Sequence, residues 1–251
     1  MKAFPEVKLD WGIEGIRFAL KNGNIVVVDD TLRFSSTVVT ATANGFTIYP
    51  ISDREKGLIF ATSIGAEMSG KLGKAKFSLS PISFLENTDN DNKNVVLYSP
   101  NGATCSELVK ENDVAYIGCL LNAKSVGEQV TKIAKEKNRS VTIIAAGETR
   151  AVEEDGKIVY LKENDKVFAL EDYLGCGAII SYIKLSKSPE AKVCESAFKS
   201  SKNKLKELLL ECFSGKYLVQ NNLKKDVDHA AQLNYYNIIP IIRNGKIERL
   251  A

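Results

Sequence analysis

This sequence has a single histidine, His229, among 251 residues. Multi-histidine metal sites are therefore excluded within one chain. A Ser-His-Asp relay would have to use His229, and no G-x-S-x-G elbow accompanies it. The five cysteines (Cys105, Cys119, Cys176, Cys194 and Cys212) are odd in number and include no C-x-x-C pair. They stand in largely apolar contexts and read as reduced core residues of an intracellular protein. None is followed by arginine six positions later, so a cysteine-based phosphatase loop is absent. A strong charge of one sign is also missing. The 34 basic and 31 acidic residues leave a net charge of +3, which gives no argument for nucleic acid or membrane partners. The lysine-rich stretch 199–211 also carries Glu207 and Glu211 and reads as a solvated face. No apolar run is long enough to span a bilayer, and the first six residues lack the apolar core of a signal peptide. A cytoplasmic protein is expected. With histidine and clustered cysteine excluded, any metal should be hard and oxygen-ligated, such as Mg²⁺.

What the chain does have is most concentrated in residues 25–40. The β-branched run Ile25-Val26-Val27-Val28 ends in Asp29-Asp30, and Thr31-Leu32-Arg33-Phe34-Ser35-Ser36-Thr37 follows at once. That order reads as a buried strand, a charged turn and a helix start. It places carboxylate, guanidinium and free backbone N–H groups at the C-terminal end of a strand, where open α/β sheets bind ligands. A helix N-terminus beginning with hydroxyl residues is an anion site, and a carboxylate beside it can hold a cation. Phosphate chemistry is the first expectation.

Along the rest of the chain, strands and helices alternate. Helices are expected at residues 11–21, 35–44, 104–110, 123–137 and 171–182, with another opening at Ser188-Pro189-Glu190 and an amphipathic one over 201–213. Strands are expected at 25–28, 47–50, 95–98, 114–118 and 141–145, while 58–62 suits either a strand or a helix end. Ile238–Ile242, Arg243-Asn244-Gly245 and the following residues read as a hairpin on an Asn-Gly turn. The expected fold is a layered α/β/α domain with a mixed, mostly parallel sheet and a C-terminal β-hairpin. It occupies residues 1–251 as a single domain with room for two subdomains. Residues 84–94 read as a polar surface loop; they lack the glycine and terminal glutamate of an EF-hand.

Other phosphate-handling motifs fail on inspection. Residues 65–72 nearly match G-x-x-x-x-G-K-[ST], but Leu72 stands where the Mg²⁺-binding hydroxyl should be. The D-x-D of aspartate-nucleophile phosphatases is absent, since Thr31 and Leu32 stand two places after Asp29 and Asp30. Four further segments fall at element ends: Ser80-Pro81, Asn101-Gly102-Ala103-Thr104, Gly147-Glu148 and Glu171-Asp172. Each alone suits a turn or cap. Their common position makes them candidates for one rim.

Taken in order, these segments resemble the 2-phosphosulfolactate phosphatase family. Asp30-Thr31-Leu32-Arg33-Phe34-Ser35-Ser36-Thr37, continuing to Ala43-Asn44-Gly45, is similar to its D-V-L-R-[AF]-[ST]-[ST]-T…A-N-G. Gly65 and Glu67 resemble its G-E segment, Ser80-Pro81 the end of its N-S-P, and Asn101-Gly102-Ala103-Thr104 its N-G-T. Leu121-Asn122-Ala123 resembles its L-N-A. Ala146-Gly147, Glu171-Asp172 and Gly177–Ile180 resemble its A-G…E-D…A-G-A-I-V, and Asp226-Val227 with Pro240 its C-terminal end. The chain departs at Leu79, where N-S-P has asparagine; at Ser78, where an acid is expected; at Ala103; and at Asp29.

The resemblance implies a Mg²⁺-dependent enzyme that hydrolyses the phosphate ester of phosphosulfolactate to sulfolactate and phosphate, in coenzyme M synthesis. On that reading Asp30 is a catalytic residue and the first metal ligand, with Glu67 and Asp172 as its metal partners. Arg33 would neutralise phosphate, with Glu67 again in the catalytic set. Ser35, Ser36, Ser80, Asn101, Gly102 and Glu148 would bind substrate. The expected partner is a small phosphate ester, with a homodimer as the default assembly. The competing reading is a non-catalytic or repurposed relative that binds a small organic acid.

Overall fold

The computed structural model describes residues 4–71, 73–161 and 166–250. Residues 1–3, half of the six-residue start on which the signal-peptide reading rests, lie outside the described residues, as does Leu72 of the P-loop-like stretch. The chain opens with strand β1 (Glu6–Trp11), which the sequence reading did not anticipate. Its alternation of Val7, Leu9 and Trp11 with charged residues is a strand signal. Helix α1 (Gly12–Lys21) follows, then β2 (Ile25–Asp29), with all five of its residues buried, and α2 (Phe34–Ala43). Next come β3 (Thr47–Ile51), α3 (Arg54–Ile64), β4 (Glu67–Met68), α4 (Pro81–Leu85), β5 (Asn94–Tyr98) and α5 (Gly102–Glu107). The ambiguous residues 58–62 are thus helical: Asp53 caps α3 by accepting the N–H groups of Glu55 and Lys56.

After β6 (Ala115–Ile117), α6 (Ala123–Lys137) and β7 (Val141–Ala145), the chain leaves the sheet for short strands β8 (Glu148–Thr149), β9 (Ala151–Glu154), β10 (Lys157–Tyr160) and β11 (Lys166–Val167). Here β9 pairs with β10, and β8 with β11. Helix α7 (Leu170–Tyr182), β12 (Ser186–Lys187) and α8 (Pro189–Ser201) follow. The single amphipathic helix expected over 201–213 is instead broken into a 3₁₀ turn, α9 (Leu205–Glu211) and α10 (Phe213–Gln220). The physical reason is Cys212, which leaves the helical conformation and accepts the Gly215 N–H as the cap of α10. Then come α11 (Lys224–Ala230) and the hairpin β13 (Pro240–Arg243) and β14 (Lys246–Arg249).

Ten strands form one sheet in the order β12-β1-β7-β2-β6-β13-β14-β3-β5-β4. Pairings are parallel except where the C-terminal hairpin enters, so the sheet is mixed and mostly parallel as expected. The hairpin lies inside the sheet, joining a block centred on β7 and β2 to a second block of β3, β5 and β4. Its turn residues Asn244 and Gly245 both have positive φ, 50° and 73°, as an Asn-Gly turn requires. Strand β2 alternates its residues between two cores. Ile25 and Val27 pack with Val126, Val130 and Ile179 on one face, and Val26 and Val28 with Val38, Val39 and Ile144 on the other. The five cysteines are free and buried, as read from the sequence.

Candidate active site

Strand β2 is buried on both faces, so the first place its chain can present polar groups is beyond its C-terminal end. A cleft of about 280 Å³ opens there. Asp30, Arg33, Asn101 and Glu148 line it, with Leu32, Leu79, Ser99, Pro100 and Thr149. Tyr160 from β10 and Ser214, Tyr217 and Leu218 from α10 close the far wall, the two tyrosine rings meeting edge to face at 4.9 Å.

Asp30 is held between two helix starts. Its Oδ1 accepts the N–H of Phe34 at 3.2 Å, and its Oδ2 accepts the N–H of Gly102 at 2.8 Å. The second contact needs glycine: a Cβ on Gly102 would lie 2.2 Å from the Phe34 ring. The Asp30 carboxyl thus sits at two helix N-termini at once, which restrains its oxygens without removing it from the cleft. Burial and the nearby charge of Glu148 push its carboxyl up to about 7, against the opposing pull of those two N–H groups. Glu148 accepts from Asn101 Nδ2 at 2.9 Å and from its neighbour Thr149 N at 2.7 Å, while Tyr160 OH donates to its second oxygen at 3.3 Å. Burial and the Glu148 charge raise the Tyr160 phenol, so it stays a neutral donor. Lys166 Nζ donates to Asn101 Oδ1 and to Thr149 Oγ1.

Arg33 lines the cleft on the side of α2. Its Nη1 lies 2.7 Å from Asp226 Oδ2, and Ser80 Oγ donates to Asp226 Oδ1 at 2.5 Å. The salt bridge of Arg33 is thus with Asp226, and not with its chain neighbours Asp29 or Asp30. Ser80 faces Asp226 and not the cleft, which corrects its expected place among the substrate-binding residues. Ser35 and Ser36 need the same correction. Both are fully buried. Ser35 Oγ accepts from Asp30 N at 2.9 Å, and Ser36 Oγ donates to the Thr31 carbonyl at 2.8 Å. These hydroxyls brace the turn after β2 from inside. Gly102 contributes its backbone N–H to Asp30 and does not itself line the cleft.

The expected metal set Asp30, Glu67 and Asp172 does not assemble. Glu67 lies on β4 at the far edge of the sheet, six strand spacings from β2, or roughly 29 Å. Asp172 is close to Asp30 but is otherwise engaged: its two oxygens accept the N–H groups of Thr31 at 2.9 Å and Gly147 at 3.0 Å. It clamps the loops after β2 and β7 from the first turn of α7. Among the described residues, no three His, Cys, Asp or Glu side chains converge as a metal cage. A Mg²⁺ ion does not require one; it is commonly held by one or two carboxylates, waters and substrate phosphate. Asp30 and Glu148 in the cleft meet that lesser requirement.

The surroundings are strongly acidic. Burial pushes the carboxyls of Asp29 and Asp172 well above the ordinary range, and neighbouring acids push both in the same direction. Glu171 is raised too, first by burial. Asp29 Oδ1 accepts from Thr31 Oγ1 at 2.8 Å, whereas its buried Oδ2 has no hydrogen-bond partner among the described residues. A cation in the cleft would relieve this repulsion. His229 takes no part; its ring contacts Thr40 Oγ1 at 2.9 Å and Gln232, so no Ser-His relay exists. Sequence reasoning left Asp226, Tyr160, Lys166, Ser214 and Tyr217 without a place at the site. Asp226 was visible within a motif, whereas the others lie in short strands and a helix with no residue pattern that points to a cleft.

Residues 14–245 match the family profile described as 2-phosphosulpholactate phosphatase. Among similar proteins is a probable 2-phosphosulfolactate phosphatase of Carboxydothermus hydrogenoformans, 30% identical over 232 residues and covering 88% of each chain. Another, from Pseudothermotoga lettingae, is 29% identical over 225 residues, covering 87% of this chain and 89% of its own. The 2-phosphosulfolactate phosphatase of Methanocaldococcus jannaschii is 25% identical over 232 residues, covering 90% of this chain and 92% of its own. With the ordered motifs of residues 30–45, 101–104, 121–123 and 171–180 falling within the matched span, the chain belongs to the 2-phosphosulfolactate phosphatase family.

Proposed function

We propose that this chain is a phosphatase that hydrolyses 2-phosphosulfolactate to sulfolactate and phosphate. One observation carries the reading: the Arg33 guanidinium and the Asp30 carboxylate line the same small cleft at the C-terminal end of β2. The cleft volume of about 280 Å³ suits a small acid, since drug-sized ligands occupy roughly 300–1,000 Å³.

The chain's own residues divide the work by chemistry. Arg33 offers a planar fork of donors to phosphoryl oxygens, and its charge offsets the charge that builds as the ester bond breaks. Asp30 stands in the cleft beside Arg33, with its two oxygens fixed by the N–H groups of Phe34 and Gly102, so its charge is presented at a set place. Glu148 and Lys166 fix Asn101 from opposite ends, presenting its amide to the substrate. Tyr160, Tyr217 and Leu218 give the cleft an aromatic and apolar wall beside these polar groups. An anionic substrate would meet repulsion from this acidic rim, so a cation belongs to the reading. Asp30, with Glu148 beside it, would hold Mg²⁺, which when bound supplies positive charge to the phosphoryl oxygens.

One observation favours the competing reading of a binding protein for a small organic acid: Leu79 gives the cleft an apolar wall where the family motif has asparagine. A screen of phosphorylated hydroxy acids, with and without Mg²⁺, separates the two by release of inorganic phosphate. Turnover of 2-phosphosulfolactate that depends on Mg²⁺ is the expected result. A folded protein that binds sulfolactate but releases phosphate from none of these esters would overturn it.

A further inference from the structure

Arg33 and Asp226 are 193 positions apart in the chain, yet they form a nearly dry ion pair. The Asp226 side chain is 2% exposed and that of Arg33 is 17% exposed. Each oxygen of Asp226 has its own donor, Arg33 Nη1 on Oδ2 at 2.7 Å and Ser80 Oγ on Oδ1 at 2.5 Å. The three residues come from three segments: Arg33 precedes α2, Ser80 precedes α4, and Asp226 lies in α11. Helix α4 packs against both α2 and α11, so the chain Ser80–Asp226–Arg33 joins elements that are already in contact.

The chemistry of the pair restricts Arg33 strongly. A guanidinium on a flexible stem can adopt many orientations, and an exposed partner would hardly choose among them. A buried carboxylate stripped of its cation is heavily penalised, so Arg33 cannot swing away without leaving Asp226 uncompensated. A guanidinium carries five N–H donors, and Asp226 engages Nη1, so the rest of the fork is left for the cleft that Arg33 lines. We infer that Asp226, locked by Ser80, is a positioning residue that sets the Arg33 fork toward a phosphoryl group. The identity of that group rests on the phosphatase reading above; the contact itself does not. Were the pair only a clip between α11 and α2, removing the Asp226 charge would free the guanidinium and tighten anion binding.

The two roles therefore predict opposite signs. Titration calorimetry with inorganic phosphate, beside phosphate release from the ester, should be run on wild type, Asp226→Asn and Ser80→Ala, with melting followed in parallel. Positioning predicts that Asp226→Asn weakens phosphate binding at least about tenfold and that Ser80→Ala weakens it by about threefold. If Asp226→Asn does not fold, the milder Ser80→Ala carries the test, because it removes an anchor of Asp226 without unpairing its charge. Added guanidinium should restore phosphate release to Arg33→Ala while Asp226 is present, but not to Arg33→Ala/Asp226→Asn. Unchanged or tighter phosphate binding in either single variant, or equal rescue of the double variant, would overturn the inference. If wild type releases phosphate and only these comparisons fail, the inference falls alone. If wild type neither binds phosphate nor releases it from any ester, the phosphatase reading falls and takes the inference with it.

Discussion

The two parallel blocks of the ten-stranded sheet use acidic residues in opposite ways. In the block centred on β7 and β2, Asp29, Asp30, Glu171 and Asp172 are all buried, and Asp30 and Asp172 are held by N–H groups from neighbouring loops and helices. In the block of β3, β5 and β4, the interior is filled by rings. Phe46 meets Phe77 at 5.2 Å and Phe84 at 5.3 Å, and Glu67 stands on the outermost strand. The first arrangement opposes folding. Each buried carboxylate is penalised by desolvation and by its neighbours, and these four lie beside or beneath the cleft after β2. The second arrangement is ordinary packing. Position in the sheet, more than membership in a motif, decides which acid is available for chemistry.

Asp30→Asn should break the contrast most severely. It removes charge while keeping shape, and phosphate release should fall at least about a hundredfold with the fold intact. If Asp30 merely caps α2 and α5, activity would stay near wild type and stability would fall by about 1 kcal/mol. Chelation comes next. Activity should drop by at least about tenfold in excess chelator and return with Mg²⁺ or Mn²⁺; full activity after exhaustive chelation would contradict a cation at the acidic cleft. Arg33→Lys keeps the charge but loses the fork, so kcat/KM should fall by about tenfold or more. Arg33→Ala should also lose competitive inhibition by phosphate.

The pH dependence of stability sharpens the comparison. A carboxyl whose pKa rises from about 4 unfolded to about 7 folded binds more protons in the folded state between those values. Its ionisation therefore removes stability as pH climbs through that window, the reverse of a salt-bridged aspartate. In metal-free protein, the melting temperature of Asp30→Asn relative to wild type should rise by at least about 2 °C between pH 5 and pH 8. A difference that stays constant across that range would contradict the raised pKa. The smallest effect is expected in the other block of the sheet: Glu67→Gln should stay within about twofold of wild-type activity and within about 0.5 kcal/mol in stability.

The sequence revealed the strand-end logic because it is written in neighbouring residues. The run from Ile25 to Thr37 shows apolar strand, acids, arginine and helix start in order, and Asp30 and Arg33 do face one cleft. Asn101 and Glu148 were legible for the same reason, each following a strand. What stayed hidden depends on contacts between distant segments. Ser35 and Ser36 look like phosphate ligands in the sequence; only the folding of the turn shows them bonded inward to Asp30 N and the Thr31 carbonyl. Glu67 sits in a family segment, but its distance from Asp30 is set by the C-terminal hairpin lying between the two parallel blocks. The sequence showed the hairpin and its turn without showing where it inserts. The cleft wall of Tyr160 and Tyr217 comes from short strands and a helix that only tertiary packing brings together.

The location of the chemistry can be tested directly in a crystal of the protein grown with Mg²⁺ and inorganic phosphate, the reaction's product. Phosphate oxygens within hydrogen-bonding distance of the Arg33 guanidinium, with the cation on Asp30, are the predicted result. Phosphate bound away from Arg33, or a cation held at Glu67 with Asp30 unliganded, would contradict the account.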